Sequence, residues 1–180
     1  MTYQLIQSKH FTKGRNKVVP RLIVIHTMET PETEGRAKQV ADWFASNFSP
    51  EASAHYCVDN KHVYNTVLEA DTSWAVDDFF FNEASISIEL AGQASQDPKL
   101  WYDAYSKSEL DIAAKLVADI SKRHKIPLVK LTPAEINAGK SGICSHLDIT
   151  VAKHIAGGHS DPGKDFPWTE FVSLAKKYHG

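Results

Sequence analysis

Val18-Val19-Pro20-Arg21-Leu22-Ile23-Val24-Ile25-His26 is a β-branched, apolar run that ends on a polar residue. Because apolar and polar residues do not alternate within it, the run is typical of a central strand covered on both faces. The stretch Ser85-Ile86-Ser87-Ile88-Glu89-Leu90 alternates strictly and stops before Gly92, which predicts a further strand. Residues 53–59 and 62–67 flank a short turn containing Asn60 and predict a β-hairpin.

Apolar residues also recur at helical spacing in three segments. They predict amphipathic helices over residues 33–48, about 108–124 and 168–178. Thr132 followed by Pro133 predicts the start of a short helix. Residues 138–163 are rich in Gly, His, Asp and Ser and are predicted to be mainly loop. This mixture predicts an α/β fold, with a mixed central sheet flanked by helices, in a single domain over residues 1–180.

The composition excludes several classes of protein. A formal net charge of -2 over 180 residues gives no general attraction to nucleic acid or to anionic membranes. No stretch approaches the roughly 18 apolar residues that span a bilayer, so membrane insertion is not expected. The N-terminus has neither the basic nor the apolar region of a secretory signal peptide, so we expect synthesis in the host cytoplasm without one. Cys57 and Cys144 are expected to be reduced thiols.

The nine histidines suggest a search for a metal site. Those on polar or terminal segments are interpreted as solvated: His10, His62, His124, His154 and His179. His26 ends the predicted central strand, where a rigid scaffold can hold a ligand, although a buried core histidine is the alternative. His146 ends another short apolar run, and Asp161 precedes a proline and a glycine that fix its backbone. Two histidines and a carboxylate from separate segments are typical of a catalytic zinc site, which leaves a fourth position for water.

Five blocks of sequence occur in the order of a known family. They are Ile23-Val24-Ile25-His26-Thr27, Ser53-Ala54-His55-Tyr56, Ser85-Ile86-Ser87-Ile88-Glu89-Leu90, His146-Leu147-Asp148-Ile149, and Asp161-Pro162-Gly163 with Phe166-Pro167-Trp168. Together they resemble the type 2 N-acetylmuramoyl-L-alanine amidases, a family of phage endolysins, bacterial amidases and animal peptidoglycan-recognition proteins. The resemblance covers roughly residues 20–175. Residues 142–168 are especially similar to endolysins of phages that infect actinobacteria.

The resemblance implies a zinc site in a groove at the strand ends. Zn²⁺ would be held by His26, His146 and Asp161. Glu89 would take a proton from the zinc-bound water, and the alternative is a surface glutamate at a strand end. Tyr56 would assist the water or the oxyanion, and the alternative is an ordinary hairpin aromatic. His159 would stabilise the tetrahedral oxyanion, and the alternative is a solvated loop histidine.

The resemblance also suggests substrate contacts. Trp74-Ala75-Val76 stands where many family members have Trp-His-Ala, so Trp74 alone is expected to stack on sugar or peptide. His55, beside Tyr56 in the second block, is expected to contact substrate. Residues 93–105 contain Trp101, Tyr102 and Tyr105, which would form either a groove wall or a structural aromatic patch.

The expected activity is zinc-dependent hydrolysis of the bond between the lactyl group and L-alanine in bacterial peptidoglycan. The expected protein is a monomer that reaches the wall after release, through a holin if it is a phage endolysin. Two alternatives stay open. One is a binding module that recognises peptidoglycan without catalysis, and the other is a cytoplasmic amidase that recycles soluble anhydro-muropeptides.

Overall fold

The structure, a computed structural model, describes residues 3–49, 51–155 and 157–180. The strands are β1 Gln4–Leu5, β2 Phe11–Thr12, β3 Leu22–Thr27, β4 Tyr56–Val58, β5 Val63–Asn65, β6 Thr72–Ser73, β7 Ser85–Leu90 and β8 Gly142–Ser145. The helices are α1 Arg36–Ala45, α2 Phe79–Glu83, α3 Ala104–His124, α4 Pro133–Asn137, α5 His146–Lys153 and α6 Trp168–His179. A short 3-10 turn, Leu100–Tyr102, precedes α3.

Six of the strands form one mixed sheet in the order β1-β5-β4-β7-β3-β8. β3 pairs in parallel with both β7 and β8, and every residue of β3 is buried. β4 pairs in parallel with β7 and antiparallel with β5, as the hairpin prediction requires. The predicted α/β fold with a mixed central sheet and flanking helices is therefore confirmed, and the non-alternating run lies in the interior of the sheet.

The alternation of side chains along β3 divides the interior into two layers. Ile23 and Ile25 point to the face that α3 and α6 cover, where the largest apolar cluster lies. Leu22 and Val24 point to the other face, which packs against α2, α4 and α5. His26 follows in the same alternation, so its side chain lies on this second face at the carboxyl end of β3.

The predicted helices are present, and side-chain caps set the residues at which α3 and α4 begin. α3 begins at Ala104 rather than near residue 108, because the Asp103 carboxylate accepts a hydrogen bond from the Ser106 backbone N–H. α4 begins in a capping box in which Thr132 and Glu135 bond reciprocally. None of the helices in the described ranges is long and apolar enough to cross a membrane.

The prediction that residues 138–163 are mainly loop is wrong for residues 142–153. Gly142–Ser145 forms β8, an edge strand of the sheet, and His146–Lys153 forms α5 directly after it. The polar residues that suggested a loop are helix caps instead. The Ser145 hydroxyl accepts from the Asp148 N–H, and the Asp148 carboxylate accepts from the Ser145 N–H at 2.7 Å.

Candidate metal centre and active-site groove

His26, His146 and Asp161 meet at the carboxyl edge of the sheet. His26 lies near the end of β3, and His146 is the first residue after the adjacent parallel strand β8. His26 Nδ1 lies 3.1 Å from Asp161 Oδ2, and His146 Nδ1 lies 3.2 Å from Asp161 Oδ1. All three side chains are buried. The sheet topology therefore brings together three residues that are far apart in the sequence.

The donor set fits a zinc ion. One ligand atom from each of the three residues lies within 4.8 Å of the other two. In a tetrahedral zinc site with bonds of about 2.0–2.1 Å, ligand atoms are about 3.3 Å apart, close to the two separations from Asp161. The Nε2 atoms of His26 and His146 are buried without a hydrogen-bond partner in the described chain, so the protein alone does not satisfy these rings.

The charges of these groups suit metal binding. Burial lowers the pKa of His26 despite its hydrogen bond to Asp161, which favours the neutral imidazole that binds metals. Burial alone would raise the pKa of Asp161. Hydrogen bonds with His146 and His26 instead hold the pKa of that carboxyl well below its usual range. The centre therefore presents an ionised carboxylate between two imidazoles.

Two local features hold the ligands in place. Asp148 accepts from Lys130 Nζ at 2.6 Å as well as from Ser145, so the cap that starts α5 at His146 is itself anchored. Gly163 has a φ of +93°, and a β-carbon there would lie 2.1 Å from the Ala94 carbonyl oxygen. Glycine is therefore required for the loop after Asp161 to pass so close to residue 94.

Glu89 lies beside the metal centre on β7. It is the register partner of His26 on the neighbouring parallel strand, so the two side chains leave the same face of the sheet. Its Oε2 atom is buried without a hydrogen-bond partner in the described chain. Burial, and then repulsion from Asp161 and Glu29, raises the pKa of Glu89 well above its usual range. A carboxyl group with a raised pKa is a stronger proton acceptor than an ordinary surface glutamate.

His159 covers the centre from the solvent side. Its ring stacks on His146 with centroids 4.4 Å apart and an interplanar angle of 10°. Its Nδ1 atom lies 3.6 Å from Asp161 Oδ1, and the side chain is 59% exposed. His159 therefore has an imidazole edge open to a ligand, unlike the buried His26 and His146.

These residues form the floor of a groove of about 550 Å³. One wall is the exposed stripe of α1, with Arg36, Gln39 and Trp43. Trp74 and Asp77, which follow β6, also line the groove. Trp74 is fixed there because its indole Nε1 donates to Thr12 Oγ1 at 2.9 Å and its backbone N–H donates to Ser53 Oγ at 3.0 Å. Two tryptophans, Trp43 and Trp74, therefore line the groove that contains the metal centre.

The structure corrects the expected catalytic role of Tyr56. Alternation along β4 directs Cys57 to the face of His26 and Glu89, and directs Tyr56 to the opposite face, into the cluster packed on α3. The Tyr56 hydroxyl donates to Glu69 Oε1 at 2.7 Å, and Glu69 also pairs with Arg123 and His124. Tyr56 therefore belongs to a structural network on the far side of the sheet.

The expected substrate contact of His55 is also corrected. His55 is fully buried, and its Nδ1 accepts hydrogen bonds from the Ser87 N–H and the Ser73 hydroxyl, each at 3.0 Å. Its Nε2 lies 2.7 Å from Arg15 Nη2 and 3.2 Å from the Asp71 carbonyl oxygen. Burial, and then the charge of Arg15, lowers the pKa of His55 to about 3. It is therefore a neutral residue that joins segments of the core.

Residues 93–105 form a structural patch rather than a wall of the groove. Trp101 is buried and meets Phe166 edge-to-face with centroids 4.9 Å apart. The Tyr105 hydroxyl donates to the Thr33 carbonyl oxygen at 2.9 Å. The sequence analysis did not identify the groove residues on α1, which are Arg36, Gln39 and Trp43. Their helical spacing, on a different stripe from the buried residues of α1, is the pattern that could have predicted an exposed surface there.

The fold and the site together define an α/β protein with a candidate zinc centre at the carboxyl edge of its sheet. The chain matches the N-acetylmuramoyl-L-alanine amidase family over residues 15–164 and belongs to that family, which confirms the resemblance of its motifs. A search of curated protein sequences gave no match.

Solved structures show the same fold at low sequence identity. The Staphylococcus aureus hydrolase AmiA in complex with its ligand is similar with a TM-score of 0.71 and 19% identity, over 99% of this chain and 83% of that one. A mutant endolysin from Bacillus subtilis is similar with a TM-score of 0.60 and 20% identity, over 99% of this chain and 100% of that one. A selenomethionine derivative of AmpD is similar with a TM-score of 0.60 and 20% identity, over 96% of this chain and 93% of that one.

Proposed function

We propose that this chain is a zinc-dependent amidase that hydrolyses the bond between the lactyl group of N-acetylmuramic acid and L-alanine, as the catalytic domain of a phage endolysin. Family membership supports peptidoglycan as the substrate. The observation that carries the zinc-dependent reaction is the convergence of His26, His146 and Asp161 beside the unpartnered carboxylate of Glu89. The protein would act as a monomer on the wall after release from the cytoplasm through a holin.

A bound Zn²⁺ would supply the electrophilic part of this chemistry. Zn²⁺ held by His26, His146 and Asp161 would polarise the lactyl carbonyl and activate water as the nucleophile. Glu89 would accept a proton from that water and pass it to the alanine nitrogen as the amide bond breaks. His159 would donate a hydrogen bond to the oxyanion from its exposed imidazole edge. The products would be a lactyl carboxylate and a peptide with free N-terminal L-alanine.

The groove walls account for substrate placement. Trp74 is held by Thr12 and Ser53, so its ring offers a fixed apolar surface for sugar or peptide. Trp43 on α1 is 45% exposed, lines the same groove and would offer a second apolar surface to the bound chain. These two surfaces would hold the scissile amide over the metal centre and so reduce the entropic cost of the reaction.

The catalytic groups also argue against a protein that only binds peptidoglycan. Binding needs the groove and its aromatic walls, but it needs neither three converging metal ligands nor a buried, unpartnered carboxylate beside them. A carboxyl group whose pKa is raised by burial is typical of an acid or base that works near neutral pH. We therefore favour hydrolysis over recognition alone.

A cytoplasmic recycling amidase is the second candidate, since AmpD shares the fold with the same TM-score as the Bacillus subtilis endolysin. Parallel assays on intact cell walls and on soluble anhydro-muropeptides separate the two. We expect falling turbidity of the wall suspension and new N-terminal alanine without new reducing sugar ends. Cleavage of soluble muropeptides alone would indicate recycling, and new reducing ends would refute amidase action.

A further inference from the structure

The α1 wall of the groove carries one strongly basic side chain. Arg36 shares its stripe with Gln39 and Trp43 at helical spacing, while Ala37 and Ala41 on the neighbouring stripe are buried in the core. The stripe therefore has no part in forming the core. Its side chains line the same groove as the metal centre.

Arg36 also differs in charge from the other residues of the groove. Among the described residues that line the groove, it is the only lysine or arginine. The carboxyl groups that line the same groove belong to Glu29, Glu51, Asp77, Glu89 and Asp161. A groove of this charge repels a ligand carboxylate everywhere except beside the guanidinium or a bound cation. The position of Arg36 therefore determines where a second negatively charged group of the substrate can be placed.

The guanidinium is only partly used by the protein. Arg36 Nη1 donates to Gln39 Oε1 at 2.9 Å, and no carboxylate in the described chain forms an ion pair with Arg36. Its Nε atom is buried without a hydrogen-bond partner. By contrast, Lys38 on the same helix is paired with Asp42 at 2.8 Å. Gln39 thus orients one end of the guanidinium and leaves Nη2 without a partner in the described chain, where it can donate a charge-assisted hydrogen bond to a carboxylate.

We propose that Arg36 selects stem peptides that carry a free carboxylate on the residue after L-alanine, an inference that rests on the proposed amidase function. The guanidinium is partly exposed to the groove, so its charge favours a carboxylate beside it. A carboxamide at the same position has the same shape but no charge, so it loses the charge complementarity and the charge-assisted hydrogen bond. The preferred substrate class is therefore muramoyl peptides with D-isoglutamate rather than D-isoglutamine at the second position.

Two muramoyl tripeptides that differ only in this group test the inference, one with D-isoglutamate and the other with D-isoglutamine. We expect the wild-type protein to have the higher kcat/KM on the carboxylate substrate. Arg36→Gln should lower that value about tenfold to a hundredfold, the range for a hydrogen bond to a charged group, and should change the amide substrate much less. Lys38→Gln is the matched control, because its exposed ion pair lies outside the groove; we expect it to stay within roughly threefold of wild type.

Binding of the two free tripeptides, measured by calorimetry on the same proteins, separates this inference from the proposed reaction. If both substrates are cleaved equally well by the wild type, the selectivity inference is refuted while the amidase function stands. If neither is cleaved but the carboxylate peptide binds more tightly in an Arg36-dependent way, the carboxylate site is supported and the amidase function is refuted. Equal binding of both peptides by wild type and Arg36→Gln would overturn the inference.

Discussion

Replacing Glu89 by glutamine removes the proposed proton acceptor and keeps the size of the side chain. No described donor contacts Glu89 Oε2, so the substitution breaks no hydrogen bond at that atom. It also removes the repulsion from Asp161 and Glu29 that helps to raise the pKa of Glu89. We therefore expect thermal stability and zinc content to be retained. Activity should fall by about 10²–10⁴, which is the usual contribution of a positioned acid or base and corresponds to about 2.7–5.5 kcal/mol of activation free energy.

The assay follows the release of N-terminal alanine from purified cell walls, with zinc content and thermal denaturation measured on the same preparations. Glu170→Gln is the matched control, since Glu170 is an exposed residue on α6 and does not line the groove. Its activity should be unchanged. If Glu89→Gln retained full zinc and activity within a few-fold of wild type, another group would have to move the proton and the reasoning from burial and register would be wrong.

Three further predictions separate the groups of the groove from the network behind the sheet. His159→Ala should retain zinc and lose about 10²–10³ in kcat, as expected for an oxyanion donor; loss of zinc in metal analysis would instead make it a ligand. Tyr56→Phe should keep kcat/KM and lower the free energy of unfolding by about 1.5–3 kcal/mol, measured by urea denaturation, because it loses a hydrogen bond to a charged group; loss of turnover would restore its catalytic role. Burial would raise the pKa of Glu69, but hydrogen bonds from His124, Arg123 and Tyr56 hold that pKa well below its usual range. The stability that Glu69 contributes is thus present above its unfolded pKa of about 4.3 and is lost as the pH falls below that value. Below about pH 4.3, the Tm of Glu69→Gln should therefore depend less on pH than the Tm of the wild type.

The main sheet was predictable because its central strands have clear patterns. The apolar run that ends at His26 has no alternation and pairs with a strand on each side. The prediction for residues 138–163 missed β8 and α5, because β8 has only four residues and because Ser145 and Asp148 act as caps. Short edge strands and caps use the same small polar residues as loops, so composition alone does not distinguish them.

The site was predictable only in part, because local sequence patterns do not determine strand register or the contacts between distant segments. Pairing of β4 with β7 aligns Cys57, rather than Tyr56, with Glu89. A shift of one residue moves a side chain to the opposite face of a sheet, and the motif does not show which face Tyr56 occupies. His55 is similar, because its role depends on Arg15, which approaches it from a separate segment of the chain.

The zinc content of the purified protein tests the central claim most directly. Metal analysis should give about one zinc per chain for the wild type, because His26, His146 and Asp161 form a complete set of three protein ligands. Asp161→Ala should lose both the metal and the release of N-terminal alanine. A wild-type protein that contains no zinc, and that gains no activity when zinc is added, would contradict the proposal of a zinc-dependent amidase.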